Sequence, residues 1–143
     1  MFRMPKLAAG FVIFRRVSSS IEYLLLQTSY GEHHWTPPKG HLDPGETDII
    51  AAYRETEEEA GFKKTDLKVF EDSKKCLNYE VKGRPKTVTY WLAELIDLSS
   101  NFKLSHEHQD GKWLELEEAC RYANYSDMQG LLKYYDEFIK AKL

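Results

Sequence analysis

Four glutamates fall within five positions of this sequence: Glu55, Glu57, Glu58 and Glu59. They close the stretch from Gly40 to Phe62, GHLDPGETDIIAAYRETEEEAGF, whose later part has a helix pattern. Thr47 is an N-cap residue, Asp48 suits the positive first turn, and Gly61 sits where a helix ends. At ~100° per residue, Glu55, Glu58 and Glu59 share one face at spacings i, i+3 and i+4, and Glu57 points elsewhere. Ile49, Ala52, Tyr53, Thr56 and Ala60 line the other side and face a core. Like charges at these spacings cost a helix about 0.2–0.5 kcal/mol per pair. They also sit at the end of the helix whose dipole disfavours anions. Arg54 can offset Glu58 at i+4, but not all three acids. The acids alone admit two readings. One is a solvated acidic face. The other is an oxygen-ligand site for a hard divalent cation, such as Mg²⁺ held by one or two carboxylates and substrate phosphates.

The elements around this helix must position it. Leu7 to Arg16 reads as a strand with Phe11–Phe14 as a buried run, and Ile21 to Gln27 as its hairpin partner across a serine turn. Ser29 to Lys39, SYGEHHWTPPK, is a loop. Its Pro37-Pro38 pair forbids ladder bonding, holds the chain extended before Gly40, and so places Lys39 beside the acidic face. Beyond the helix, Leu67 to Val81 contains strand patterns with Leu77, Tyr79 and Val81 on one face. Lys82-Gly83-Arg84-Pro85-Lys86 is a hairpin tip, and Thr87 to Ile96 the return strand. The tip is either a solvated basic turn or a clamp for phosphoryl oxygens. His106-Glu107-His108 lies in a loop and matches no zinc-site spacing. Glu107 reads instead as an acid reaching toward the helix, as a metal ligand or a general base. Lys112 to Leu116 is a strand, Leu116 to Ala123 a short helix, and Tyr125 falls between helices. Ser126 caps the last helix, whose stripe Met128, Leu131, Leu132, Tyr135, Phe138 and Ile139 is core packing.

At 143 residues, 42% hydrophobic and 30% charged, the chain is long enough for one domain with a real core and too apolar for disorder. A formal charge of −3 gives no reason to expect non-specific nucleic-acid binding. Cys76 and Cys120 have no metal-type pairing, so free thiols in a reducing compartment are expected. No run of ~18 apolar residues exists. The start, MFRMPKLAAG, lacks a signal-peptide core with a cleavage site. A cytoplasmic location, extending to the nucleus, is the expectation.

The full spacing narrows the chemistry. Gly40, Glu46 and the run Arg54-Glu55-Thr56-Glu57-Glu58-Glu59-Ala60-Gly61-Phe62 resemble the Nudix box, the signature of hydrolases of nucleoside diphosphates linked to another moiety. Thr56 departs from the aliphatic residue usual there, and is close enough to Val in size to face the sheet. The strings LLLQTSYGEHHWTPPKGHLDPGE, NYEVKGRPKTVTYWL and LSHEHQDGKWLEL extend the resemblance. They are similar to the animal asymmetrical diadenosine tetraphosphate hydrolases.

That resemblance implies an α/β/α sandwich with a mixed central sheet, formed as a single domain over 1–143. It implies cleavage of diadenosine 5′,5‴-tetraphosphate to ATP and AMP by a monomer, with no stable nucleic-acid partner and no membrane. Metal ligation falls on Glu55, Glu58, Glu59 and Glu107, with Mg²⁺ or Mn²⁺ as the cofactor. Catalytic roles fall on Glu58, Glu107, Arg54 and Lys39. His34, Lys39, Lys82 and Lys86 match positions that meet the polyphosphate, and Tyr79 and Tyr125 match aromatics that sandwich an adenine. Base stacking on aromatics contributes about 1–3 kcal/mol and tolerates different bases. With nine tyrosines in the chain, a half-buried core residue is the safer reading of either one taken without the resemblance. The box itself fixes pyrophosphate chemistry without choosing the substrate. Diphosphoinositol polyphosphates, RNA 5′ ends, oxidised nucleotides and a non-catalytic nucleotide sensor are the alternatives. The tyrosine pair argues against an inositol, the absence of a basic stripe against long RNA, and the intact box acids against a sensor.

Overall fold

The computed structural model describes residues 5–143; the leader reading at Met1–Met4 lies outside the described residues. Ten main elements follow one another: β1 (Lys6–Val17), β2 (Ser20–Thr28), β3 (Trp35–Thr36), β4 (Lys39–His41), α1 (Asp48–Ala60), β5 (Leu67–Val81), β6 (Arg84–Leu95), β7 (His108–Leu114), α2 (Leu116–Ala123) and α3 (Ser126–Lys142). The strands form one seven-stranded sheet in the order β3-β2-β1-β6-β5, with β4 also on β1 and β7 also on β2. Its central pair, β1 and β6, is parallel and the remaining pairs are antiparallel, so the sheet is mixed. β1 is buried along most of its length because both faces are covered. On one face Ala9, Phe11, Ile13 and Trp91 pack against Ala51, Ala52 and Ala60 of α1. On the other, Val12, Phe14, Tyr23 and Leu92 pack against Leu131, Leu132, Tyr135 and Ile139 of α3. The result is the expected α/β/α sandwich, and the stripe on α3 is core.

The sheet splits where the site will be. β1 pairs β2 only from Phe14↔Tyr23 to Val17↔Ser20, and the two then diverge. The segment Trp35–His41 fills the opening: β3 pairs Leu26 and Gln27 of β2, and β4 pairs Ala8–Gly10 of β1. The partner change falls at Pro37-Pro38. Two residues without N–H groups need no ladder partner there, while the Pro38 carbonyl still accepts the Phe11 N–H at 3.2 Å. The loop expected over Ser29–Lys39 therefore ends in two short strands.

Three boundaries differ from the sequence reading. β7 begins at His108 rather than Lys112, because β2 continues to pair it through Thr28 with a register shift at Gln27/Thr28. That pairing is made by backbone groups and leaves no hydrophobic signature. β6 begins at Arg84 rather than Thr87, because the turn is only Lys82-Gly83, both at positive φ (51° and 75°), the geometry of a tight hairpin. The cap position of α3 is Tyr125, whose carbonyl accepts the Gln129 N–H at 2.9 Å, and Ser126 lies inside the helix.

Candidate active site

The acidic helix forms as its sequence dictates. The Ile50 N–H donates to Thr47 Oγ1 at 3.4 Å, and Gly61 ends the helix at φ 76° with its N–H on the Glu57 carbonyl. Thr56 is fully buried against the sheet, its Oγ1 without a hydrogen-bond partner. The three face glutamates have different surroundings. Glu58 projects into solvent, its side chain 58% exposed. Glu55 is largely covered, its Oε1 accepting from Arg54 Nη1 at 2.6 Å. Glu59 is buried, and its Oε1 accepts the Lys39 backbone N–H at 3.0 Å. The extended chain after Pro38 thus places Lys39 beside the acidic face, as the proline pair required.

Arg54 ties the frame together. Its guanidinium grips Glu46 with two bonds of 2.8 Å, reaches the His41 carbonyl at 3.0 Å, and meets Glu58 only at 3.4 Å. The offset expected mainly on Glu58 falls instead on Glu46 and Glu55. Glu46 is held down to about 2 by Arg54 and then by the Asp43 N–H. Gly40 lies directly against Glu55: a Cβ there would overlap the Glu55 carboxylate. Glu107 is exposed on the turn before β7, with the Ser29 N–H on its carbonyl at 2.9 Å. Its charge acts on both Glu55 and Glu59.

These acids are short of positive charge. Burial pushes Glu59 up to about 8, with Glu55 and Glu107 adding to the push and Lys39 opposing it. Burial likewise raises Glu55, and Arg54 only partly opposes it. Among the described residues, no three acidic, histidine or cysteine side chains stand ready to clasp an ion as placed. Arg54 Nη1 instead donates to both Glu55 at 2.6 Å and Glu58 at 3.4 Å. The donor set itself fits a hard divalent cation: oxygen ligands only, crowded, partly desolvated, and with one buried carboxylate receiving a single N–H.

The raised Glu59 gives a signed prediction. Between the ordinary carboxylate value of about 4.3 and about 8, the folded chain holds a proton that the unfolded chain has lost. Stability then falls as pH rises through that window. In EDTA, the melting temperature of the wild type drops by several degrees between about pH 5 and about pH 9. Glu59→Gln, whose amide oxygen still accepts the Lys39 N–H, flattens the slope. Scanning calorimetry of both proteins across that range checks it, and an equally steep slope in the variant would contradict it.

Behind the acidic face, on the α2/α3 side of the sheet, lies a cleft of about 800 Å³. His34, Lys39, Tyr79, Lys82, Lys86 and Tyr125 all line it, so the loop before β3, β4, the β5–β6 hairpin and the α2–α3 connection bring the expected binding residues to one cavity. Val88 and Tyr90 of β6 form part of its lining. The Tyr125 hydroxyl lies 3.2 Å from His34 Nδ1, with the two rings edge to face. Tyr79 is half-buried, and burial raises its phenol to about 12. A smaller hollow of about 490 Å³ between α2 and α3 carries none of these groups.

Three contributors had no site role assigned to them by the sequence reading, although Trp35 lay in the aromatic loop and Glu46 in the box. Tyr30 lines the cleft, and burial followed by the charges of Glu59 and Glu107 raises its hydroxyl, which sets it where the cleft meets the acids. Trp35 lines the cleft while packing edge-on against Tyr122 at 5.2 Å. Glu46 is a principal partner of Arg54. For the first two the signal was an aromatic, imidazole-rich loop. For Glu46 it was the box spacing alone.

A mixed sheet between helices, with a box helix offering carboxylates to a cationic, aromatic cleft, is the architecture of one hydrolase class. The NUDIX domain model matches residues 4–138, and the chain belongs to the NUDIX family, whose hydrolases are generally dependent on divalent metal. It is 53% identical over 132 residues to the asymmetrical bis(5′-nucleosyl)-tetraphosphatase of Caenorhabditis elegans, covering 92% of this chain and 95% of that one. It is 49% identical over 138 residues to the mouse (Mus musculus) protein of the same name, covering 92% and 94%. The crystal structure of a C. elegans Ap4A hydrolase binary complex superposes with a TM-score of 0.92 at 52% identity, covering 94% of this chain and 98% of that one.

Proposed function

We propose that this chain hydrolyses diadenosine 5′,5‴-tetraphosphate asymmetrically, to ATP and AMP, with Mg²⁺ or Mn²⁺ on Glu55, Glu58, Glu59 and Glu107. The observation that carries this reading is Lys39. It lines the aromatic, cationic cleft, and its backbone N–H is bonded to the buried Glu59 of the acidic face. A ligand seated in the cleft therefore has its phosphates led to the carboxylates by one residue. Tyr79 and Tyr125 offer faces for an adenine. Lys39, Lys82, Lys86 and His34 neutralise a chain that an acidic face alone would repel, and they stabilise charge on the departing nucleotide. When bound, the divalent ion supplies further neutralisation, polarisation of a phosphorus and a more acidic water. Glu107 or Glu58 takes the proton from the attacking water. Arg54, Glu46 and Gly40 hold Glu55 in register with them. All these residues come from one chain, so a monomer suffices. No helix among the described residues is long and apolar enough to cross a membrane.

Hydrolysis in ¹⁸O-water with Mg²⁺, products resolved by mass, tests the reading. The expected result is label in AMP and none in ATP, which places attack on the phosphorus next to one adenosine. Two ADP molecules would make the cleavage symmetrical. Nucleotide binding insensitive to EDTA with no products would make the protein a sensor.

A further inference from the structure

Glu107 sits on a turn that a single residue of another segment holds twice. β2 ends at Thr28, opposite His108 at the start of β7. Ser29 lies beyond the strand, yet it goes on bonding the same neighbour. Its N–H donates to the Glu107 carbonyl at 2.9 Å, and its Oγ donates to the His106 carbonyl at 3.0 Å. Those carbonyls belong to the two peptide planes that flank the Glu107 Cα. A peptide unit is planar, so holding both planes leaves the Glu107 backbone little freedom in φ or ψ. The direction of its Cα–Cβ bond is then set, and only side-chain rotation remains between it and the carboxylate. The turn also closes on itself. The Glu107 N–H donates to Ser105 Oγ at 3.3 Å, and the His108 N–H to the Ser105 carbonyl at 3.2 Å. His108 is buried, which seats the far end of the turn in the fold.

The same root carries a loop of the cleft. The Thr28 N–H donates to the His34 carbonyl at 2.9 Å, and Thr28 Oγ1 to the Tyr30 carbonyl at 3.1 Å. Tyr30, Gly31, Glu32 and His34 line the cleft. Thr28 and Ser29 thus join the cleft loop to the Glu107 turn. Ser29 and His106 are both exposed, so water competes for the hydroxyl bond between them. Such a bond adds little to stability. What it supplies is direction, on the one turn whose acid acts on Glu55 and Glu59 from outside the helix.

We infer that Ser29 is a positioning residue, whose hydroxyl fixes the peptide before Glu107 and so aims the Glu107 carboxylate at the acidic helix face. This rests on the proposed reaction for the task of Glu107, whereas the clamp rests on the hydrogen bonds alone. Removing the hydroxyl leaves the N–H bond to the Glu107 carbonyl. The turn therefore persists, and one of its two planes is released. Ser29 does not line the cleft, so the groups that bind the nucleotide keep their places. The cost falls on kcat rather than on KM.

A double-mutant cycle with Glu107 tests this on the full chain, with Mg²⁺ and diadenosine tetraphosphate. Ser29→Ala is expected to lower kcat about tenfold, less than the roughly 10²-fold cost of a 1 Å misplacement because one plane stays held. KM is expected to stay within about twofold of wild type, and the melting temperature within about 2 °C. Ser29→Thr keeps the hydroxyl and is expected to hold kcat within about threefold of wild type. Glu107→Gln lowers kcat by itself. Adding Ser29→Ala to it is expected to change kcat by less than about twofold, because the carboxylate that the hydroxyl aims is gone. A merely structural role gives the same tenfold loss in both backgrounds. That result, wild-type kcat in Ser29→Ala, a loss confined to KM, or no rescue by threonine would overturn the inference. Wild-type turnover in Glu107→Gln is a separate pattern: it would overturn the place of Glu107 in the proposed reaction, and the role of Ser29 with it.

Discussion

Glu58→Gln is expected to lower kcat for dinucleoside tetraphosphate hydrolysis by about 10³-fold, within the range seen when a positioned acid or base is removed. The structure makes this a clean substitution. Glu55 is bound at 2.6 Å to Arg54 and Glu59 at 3.0 Å to the Lys39 backbone, so replacing either also removes a strut. Glu58 touches Arg54 only at 3.4 Å and its side chain is 58% exposed. Its loss takes away a carboxylate and almost no packing, and exposed ion pairs of this kind are worth about 0–1 kcal/mol. The melting temperature is expected to stay within about 3 °C of wild type. Glu57 supplies the control: it is exposed on the same helix, outside the i, i+3, i+4 face, and Glu57→Gln is expected to leave turnover unchanged. The check is steady-state kinetics with Mg²⁺ for both variants beside thermal melts. Turnover within about threefold of wild type for Glu58→Gln would remove Glu58 from the metal and proton-transfer assignments.

What was legible in the sequence was what is local in it. The cap at Thr47, the stop at Gly61 and the face carrying Glu55, Glu58 and Glu59 all lie within one short stretch, where helical periodicity converts spacing directly into direction. The stripe on α3 was legible for the same reason. Hydrophobicity exposed β1 and β2, whose inward residues are continuous runs. It could not expose the first half of β7, because His108-Gln109-Asp110-Gly111 joins the sheet through backbone groups.

The site was harder, because its geometry comes from chain crossings. Periodicity paired Arg54 with Glu58. The folded loop brings back Glu46 from eight residues earlier and makes it the better partner, a meeting no helix spacing contains. The gathering of His34, Lys39, Tyr79, Lys82, Lys86 and Tyr125 into one cleft follows from the splitting of β1 from β2 and the pairing of Lys86 with Tyr79. Composition and spacing gave either tyrosine an ordinary core role. It was the family resemblance that singled them out.

Gly40→Ala is expected to reduce kcat/KM by about 10²-fold, the cost of displacing a reacting group by roughly 1 Å. A methyl group at this position would overlap the Glu55 carboxylate and come within 2.7 Å of Glu55 Cγ. The obstacle is the end of a flexible side chain, so the backbone need not move, but Glu55 must. It has no free direction in which to do so at constant energy. Its Oε1 is held by Arg54 Nη1, and Arg54 is itself fixed by Glu46 and by the His41 carbonyl. Swinging Glu55 away breaks the 2.6 Å ion pair, and the overpacking is expected to cost about 1–3 kcal/mol. That is a modest part of a domain's stability, so the variant folds. The functional loss is larger because the displaced group is one of the metal-binding carboxylates. The measurement is paired: divalent-ion affinity by calorimetric titration, and melting temperature in EDTA. Weakening of ion binding by tenfold or more, with a melting temperature only a few degrees lower, supports Gly40 as the residue that lets β4 lie against Glu55. Unchanged ion affinity and activity would mean that Glu55 is free to find its geometry elsewhere, and that its contact with Gly40 positions nothing.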